Sequence, residues 1–215
     1  MRLDGTEAQT TFATYDPDKG LFLQAHLAQA IPELEGRCVI ADLPATGALL
    51  APAQRVFVHR DEDDWERITC LEMRPADGGS ARVVVSSMRE FPVIRSFPWD
   101  LTIRPTKNAI DEFAAFGRMM AKADHKTFTP QTENGTLYFA VGDPYEPVHG
   151  RMAFATDVLP AAMPSASFDI KHMTATLRTT LTDEAEVRVS GRGVIAVVGR
   201  THHAHYTYYL RGRPV

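Results

Sequence analysis

A short helix placed ahead of a β-hairpin occurs twice in this chain, and that repetition constrains the fold more than any single motif. Near the C-terminus, FDIKHMTATLR (Phe168 to Arg178) is followed by EVRVSGRGVIAVVG (Glu186 to Gly199) and AHYTYYL (Ala204 to Leu210). The order reads as a strand end running into an amphipathic helix, then a hairpin, then a closing strand. The first half holds a looser copy. CVIADLPATGALL (Cys38 to Leu50) precedes RVFVHRD (Arg55 to Asp61), WERITCLEM (Trp65 to Met73) and ARVVVSSM (Ala81 to Met88). Two such units predict a duplicated α+β chain of antiparallel sheets with few, short helices.

Turn residues punctuate the strands. Asp16-Pro17-Asp18-Lys19-Gly20, Asp77-Gly78-Gly79, Asn134-Gly135 and Ser190-Gly191-Arg192-Gly193 are turns, and the last three predict hairpins. Leu137 to Val141 and Arg151 to Ala155 read as further strands. The clearest helix covers 109–123, with Asn108 as its N-cap. Ile110, Phe113, Phe116, Gly117 and Met120 line one side, while Asp111, Ala115, Arg118 and Lys122 line the other. A weaker helix covers 168–179, with Ile170, Met173 and Leu177 inward and Lys171, Thr174 and Arg178 outward. Residues 4–14 and 44–51 are two shorter helix candidates. Met88 to Leu101 holds Pro92 and Pro98 in an extended apolar stretch. It reads as a connector over 89–101 between domains at 1–88 and 102–215.

The chemistry is sparse. No GxSxG, Walker loop or HExxH is present, so no catalytic residue and no cofactor are assigned. SGRGVIAVVGR is strand-flanked and reads as a hairpin. His203 and His205 would share a face of a strand, but no acidic residue or cysteine stands near them to complete a metal set. The run Asp61 to Glu66 lacks the glycine and closing glutamate of a calcium loop and reads as a solvated hairpin tip. No metal site is therefore predicted. Cys38 and Cys70 read as reduced core thiols. No apolar run is long enough to span a membrane, and the first residues lack a signal peptide's apolar stretch, so the chain reads as cytoplasmic. Residues 1–100 hold ten Lys/Arg against sixteen Asp/Glu, and residues 101–215 hold thirteen against eleven. Such a chain binds DNA only where its basic residues converge on one surface.

Several stretches, in order, resemble the sliding clamps that act as DNA polymerase processivity factors, above all those of T4-like bacteriophages and more distantly the cellular proliferating-cell clamps. TTFATYDPDKGLFL (Thr10 to Leu23) is similar to their N-terminal helix and first strand. IPELEGRCVIADLPATGALL (Ile31 to Leu50) resembles the strand entering the second helix. TKNAIDEFAAFGRMMAKAD (Thr106 to Asp124) resembles the first helix of the second domain, and ENGTLYFAVGD (Glu133 to Asp143) the strand after it. FDIKHMTATLR and HYTYYLRG (His205 to Gly212) resemble the later strand-to-helix junction and the terminal strand.

The resemblance implies two similar clamp domains with sheets outside and helices inside. Three subunits would close into a homotrimeric ring around double-stranded DNA, held without regard to sequence. It implies DNA-facing positions at Lys107, Arg118, Lys122, Lys126, Lys171 and Arg178. It also implies a pocket at the connector for peptides of the DNA polymerase and the clamp loader, lined by Val93, Ile94, Phe97, Tyr209 and Leu210. For a phage protein, the compartment is the cytoplasm of the bacterial host. Two alternatives share the same strands and turns: a β-rich structural or assembly protein of a virus, and a small metal enzyme using the histidines.

Overall fold

The computed structural model describes residues 2–6, 8–16, 20–40, 53–76, 78–85, 96, 98–180 and 185–215. The chain divides into two units, the first comprising residues 1–15, 23–94 and 202–205, and the second residues 16–22, 95–201 and 206–215. The helix candidate at 44–51 and most of the connector at 89–101 lie outside the described residues.

In the first unit, β1 (Arg2–Gly5) lies between β2 (Thr10–Asp16) and β4 (Gly36–Val39), antiparallel to both, and β3 (Leu21–Leu27) follows β2. The helix expected at 4–14 is therefore two strands. Thr10, Thr11, Phe12, Thr14 and Tyr15 are β-branched or aromatic and suit a pleated surface better than a helix. The connection between these strands is a tight turn, with Thr6 N–H donating to the Gln9 carbonyl at 2.8 Å. A second, three-stranded sheet is formed by β5 (Ala53–Arg60), β6 (Ile68–Pro75) and β7 (Ala81–Val84), in that order. Cys38, Ile40, Ile68, Leu71, Met73 and Val85 form the core, with Phe12, Val58 and Val83 against it. Burial, then Asp4, pushes the Cys38 thiol up to about 11, as expected of an inert core thiol. Cys70 is half-buried and is no part of that core.

In the second unit, β8 (Leu101–Ile103) pairs with β13 (Glu186–Ser190), followed by β14 (Val194–Arg200) and β15 (Ala204–Arg211). A five-stranded sheet runs in the order β11 (Gly150–Ala155), β10 (Thr136–Val141), β9 (Thr127–Glu133), β12 (Ala166–Asp169), β16 (Arg213–Pro214). The β9–β10 turn has Asn134 and Gly135 at φ 49° and 74°, the left-handed pair that a two-residue hairpin requires. Two α-helices are present among the described residues, α1 (Lys107–Ala121) and α2 (Ile170–Thr179). Neither is long and apolar enough to cross a membrane. Val187, Val189, Ile195 and Val197 from one sheet and Phe128, Leu137, Phe139 and Phe154 from the other share a single core with both helices.

Candidate nucleic-acid interface

The two helices present the basic residues. The α1 helix begins two residues earlier than the apolar spacing indicated. Thr106 is the N-cap and accepts from Ala109 N–H at 3.1 Å. Asn108 sits inside the first turn, and its amide donates to Glu112 at 2.7 Å. The Thr106 hydroxyl, itself a favoured cap, sets the earlier start. The apolar side is as expected: Ile110, Phe113, Gly117 and Met120 are buried with Ala114, and Phe116 is half-buried. The helix ends with Asp124 in the left-handed region at φ 63° and His125 N–H bonded back to the Met120 carbonyl at 3.2 Å.

The α2 helix is capped by Asp169, which accepts from His172 N–H at 2.8 Å. Its threonines are accommodated by donating back to preceding carbonyls, Thr179 and Thr180 both to Thr176 at 2.8 and 2.9 Å. Ile170, Met173 and Leu177 are buried, as is Thr176.

The helices touch closely at one point. A Cβ on Gly117 would lie 2.4 Å from Ile170 Cγ2, so only glycine admits this approach. Arg118 and Lys171 are the next residues along each helix, which places two exposed cations beside the same crossing. Lys122 lies one turn beyond on α1, and Arg178 in the last turn of α2. Lys107, Arg118, Lys122, Lys171 and Arg178 are all exposed, and none forms an ion pair among the described residues.

The strands behave differently. Arg2, Arg37, Arg67, Arg74, Arg82, Arg104, Arg151 and Arg188 each sit against a carboxylate. Arg55, Arg60, Arg192, Arg211 and Arg213 form no ion pair among the described residues. Lys126 departs from the helix group. It is held by Asp124 at 2.8 Å, which raises its pKa and lowers that of Asp124. Asp111 and Glu112 are exposed on the first half of α1, so positive charge concentrates toward its C-terminal end. There the helix dipole also favours cations.

For the peptide pocket, Val93, Ile94 and Phe97 lie outside the described residues. Tyr209 is half-buried and meets Phe22 edge-on at 6.1 Å between centroids, and burial pushes its phenol up. Leu210 is buried in the core of the second unit. Among the histidines, His202 and His203 fall in a bend before β15, so His203 and His205 do not share a strand face. Among the described residues no group of three acidic, cysteine or histidine side chains is placed to hold a metal ion.

One cluster escaped the reading of the sequence. Glu72 on β6 is only 2% exposed, yet it faces away from the core that Leu71 and Met73 enter. Its Oε1 accepts from Arg74 Nε at 2.6 Å, and its Oε2 from Arg82 Nη2 at 3.1 Å, with His59 Nε2 at 3.0 Å. The Arg74 hydrogen bond leads the effects that hold this carboxyl at about 2. A carboxylate with a depressed folded-state pKa stabilises the fold above its unfolded value and loses that contribution as pH falls toward the folded one. Thermal stability of the chain is therefore expected to drop as pH falls from about 4.5 toward about 2. Glu72→Gln should start lower at neutral pH and show a flatter decline over that interval. Melting curves across the interval check this, and parallel declines would remove Glu72 as a cause.

No protein-family model and no curated protein matches the chain. Among solved structures, it is similar to a chain in the crystal structure of the PCNA2-PCNA3 complex from Sulfolobus tokodaii. The TM-score is 0.63 and the identity 14%, over 99% of this chain and 89% of that one. The likeness shows the fold: mostly antiparallel sheets with short helices in the two-domain manner of a PCNA sliding clamp.

Proposed function

We propose that this chain is a sliding clamp that encircles duplex DNA and tethers a replicative polymerase, with no catalysis of its own. The observation that carries this reading is the set of exposed helix cations without carboxylate partners among the described residues. Most strand arginines are neutralised locally, whereas Lys107, Arg118, Lys122, Lys171 and Arg178 have no ion pair among the described residues and would offer their charge to phosphates. Phosphate attraction that reads no base edge lets a ring slide.

In this reading the domains are 1–88 and 102–215, and the segment 89–101 with Val93, Ile94, Phe97 and Tyr209 receives polymerase and clamp-loader peptides. The order of motifs along the chain supports a viral, T4-like setting. Three chains would contribute six domains to a homotrimeric ring. The outer edges of β7 and β11 are two of the sheet edges without a strand partner among the described residues, and in this reading they pair between subunits.

The test combines assembly with function. Sedimentation is expected to give about three chains per particle. Extension from a primed circle should lengthen its products only when both the protein and its loader are present. A monomer that persists at high concentration, with no gain in product length, would overturn the reading.

A further inference from the structure

The first unit carries its own concentration of arginine, on a sheet face and not on a helix. Strand register sets three rows on the face of the β5–β6–β7 sheet that lies opposite Leu71 and Met73. Arg55 stands beside Arg74, Phe57 beside Glu72 and Arg82, and His59 beside Cys70 and Val84. Glu72 holds Arg74 through Nε and Arg82 through Nε and Nη2. The Arg74 guanidinium also lies over the Phe57 ring, 4.4 Å from its centroid. One buried carboxylate thus fixes two guanidinium groups along one edge. Their remaining donors face solvent, since both arginine side chains are more than half exposed. With Arg55 the face has three guanidinium groups against one carboxylate, in a half of the chain where acids outnumber bases sixteen to ten.

The composition selects the kind of occupant. The face has arginine and no lysine, a partly exposed aromatic ring, and Val84 at 79% exposure. Arginine and aromatic side chains are enriched at protein interfaces and lysine is depleted. A phosphate backbone would gain nothing from Val84. Fixed guanidinium donors suit carboxylates, which they bind in pairs of parallel hydrogen bonds.

We propose that this face is a docking surface for an acidic, extended segment of a partner protein. Its carboxylates would take the outward donors of Arg74 and Arg82, and its apolar side chains would cover Phe57 and Val84. The proposal does not rest on the DNA reading, because α1 and α2 play no part in it.

The experiment selects a random dodecapeptide library on the full chain, then measures the winners by fluorescence anisotropy at two salt concentrations. The proposal expects winners with several Asp or Glu and at least one large apolar residue. Their affinity should fall at higher salt, and at least tenfold in Arg74→Ala/Arg82→Ala. That variant leaves Glu72 buried with only His59 beside it and could unfold. Arg55→Ala/Val84→Ser therefore serves as a second variant that leaves the Glu72 cluster intact, with an expected loss of about threefold or more. Winners without acidic residues, acidic winners that bind both variants as tightly as the parent, or displacement of the winners by a short DNA duplex would each overturn the proposal. The last outcome would assign the face to nucleic acid.

Discussion

Replacing Arg118, Lys122, Lys171 and Arg178 together by glutamate is expected to abolish the gain in polymerase processivity and to leave the chain folded. The four side chains are exposed and form no ion pair among the described residues, so little folding energy is tied to them. Their work is long-range attraction of phosphate. Each lost contact should flatten the dependence of DNA association on salt by about 0.9 unit of logarithmic slope, or roughly 3–4 units for all four. Glutamate also places three negative charges at helix C-terminal ends, at Arg118 and the C-cap Lys122 of α1 and at Arg178 of α2, where the helix dipole disfavours them by about 0.3–1 kcal/mol each. The quadruple glutamine variant separates the two effects. It removes the attraction without adding repulsion, and should keep the parent melting temperature while losing most of the salt dependence. Full processivity in the glutamate variant would remove α1 and α2 as the DNA-facing elements. The fold assignment would survive.

The location of these cations was legible because a helix writes its faces locally. Residues three and four apart share a side, so Ile110, Phe113, Gly117 and Met120 declared the buried stripe, and Arg118 and Lys122 fell outside it. Register in a sheet is not local. The cluster around Glu72 joins β5, β6 and β7 through pairings at Phe57 and Arg82, and β5 is shifted by irregularities near Ala53 and His59. No spacing within one strand reveals such a cluster.

The reading of 4–14 as a helix failed for a different reason. Residues 4–14 read as a short helix candidate, while Thr10 to Asp16 has the β-branched and aromatic content of a strand. The connection from β1 to β2 is a turn at Thr6 to Gln9, whereas that from β8 to β9 holds the fifteen residues of α1. The two units are therefore unequal. The remaining helix candidate of the first unit, 44–51, lies outside the described residues and contains no lysine or arginine. In the proposed mechanism, attraction of phosphate by helices then falls to the second unit.

That dependence makes the seating of α1 the most sensitive point of the fold, and Phe113→Ala its sharpest test. Phe113 is fully buried, and its ring meets Phe128, Phe139 and Phe154 edge-on at 5.3, 5.2 and 5.9 Å between centroids. It is the side chain through which α1 enters the aromatic centre of the second unit's core. Truncation removes the ring and leaves a cavity, because Phe139 and Phe154 already stack on each other at 4.4 Å and cannot both collapse inward. The expected cost is about 3–5 kcal/mol. Phe113→Leu keeps much of the volume and should cost less. Denaturant melts of both variants give the comparison, followed by a signal that reports the second unit, since a chain of two units need not unfold in one step. The alanine variant should also weaken DNA association under conditions where it is still folded, because a loosened α1 no longer holds Arg118 and Lys122 in place beside Lys171. A loss below about 1 kcal/mol, far under the range for such truncations, would mean that the helix is seated by other contacts and that Phe113 does not anchor the basic surface.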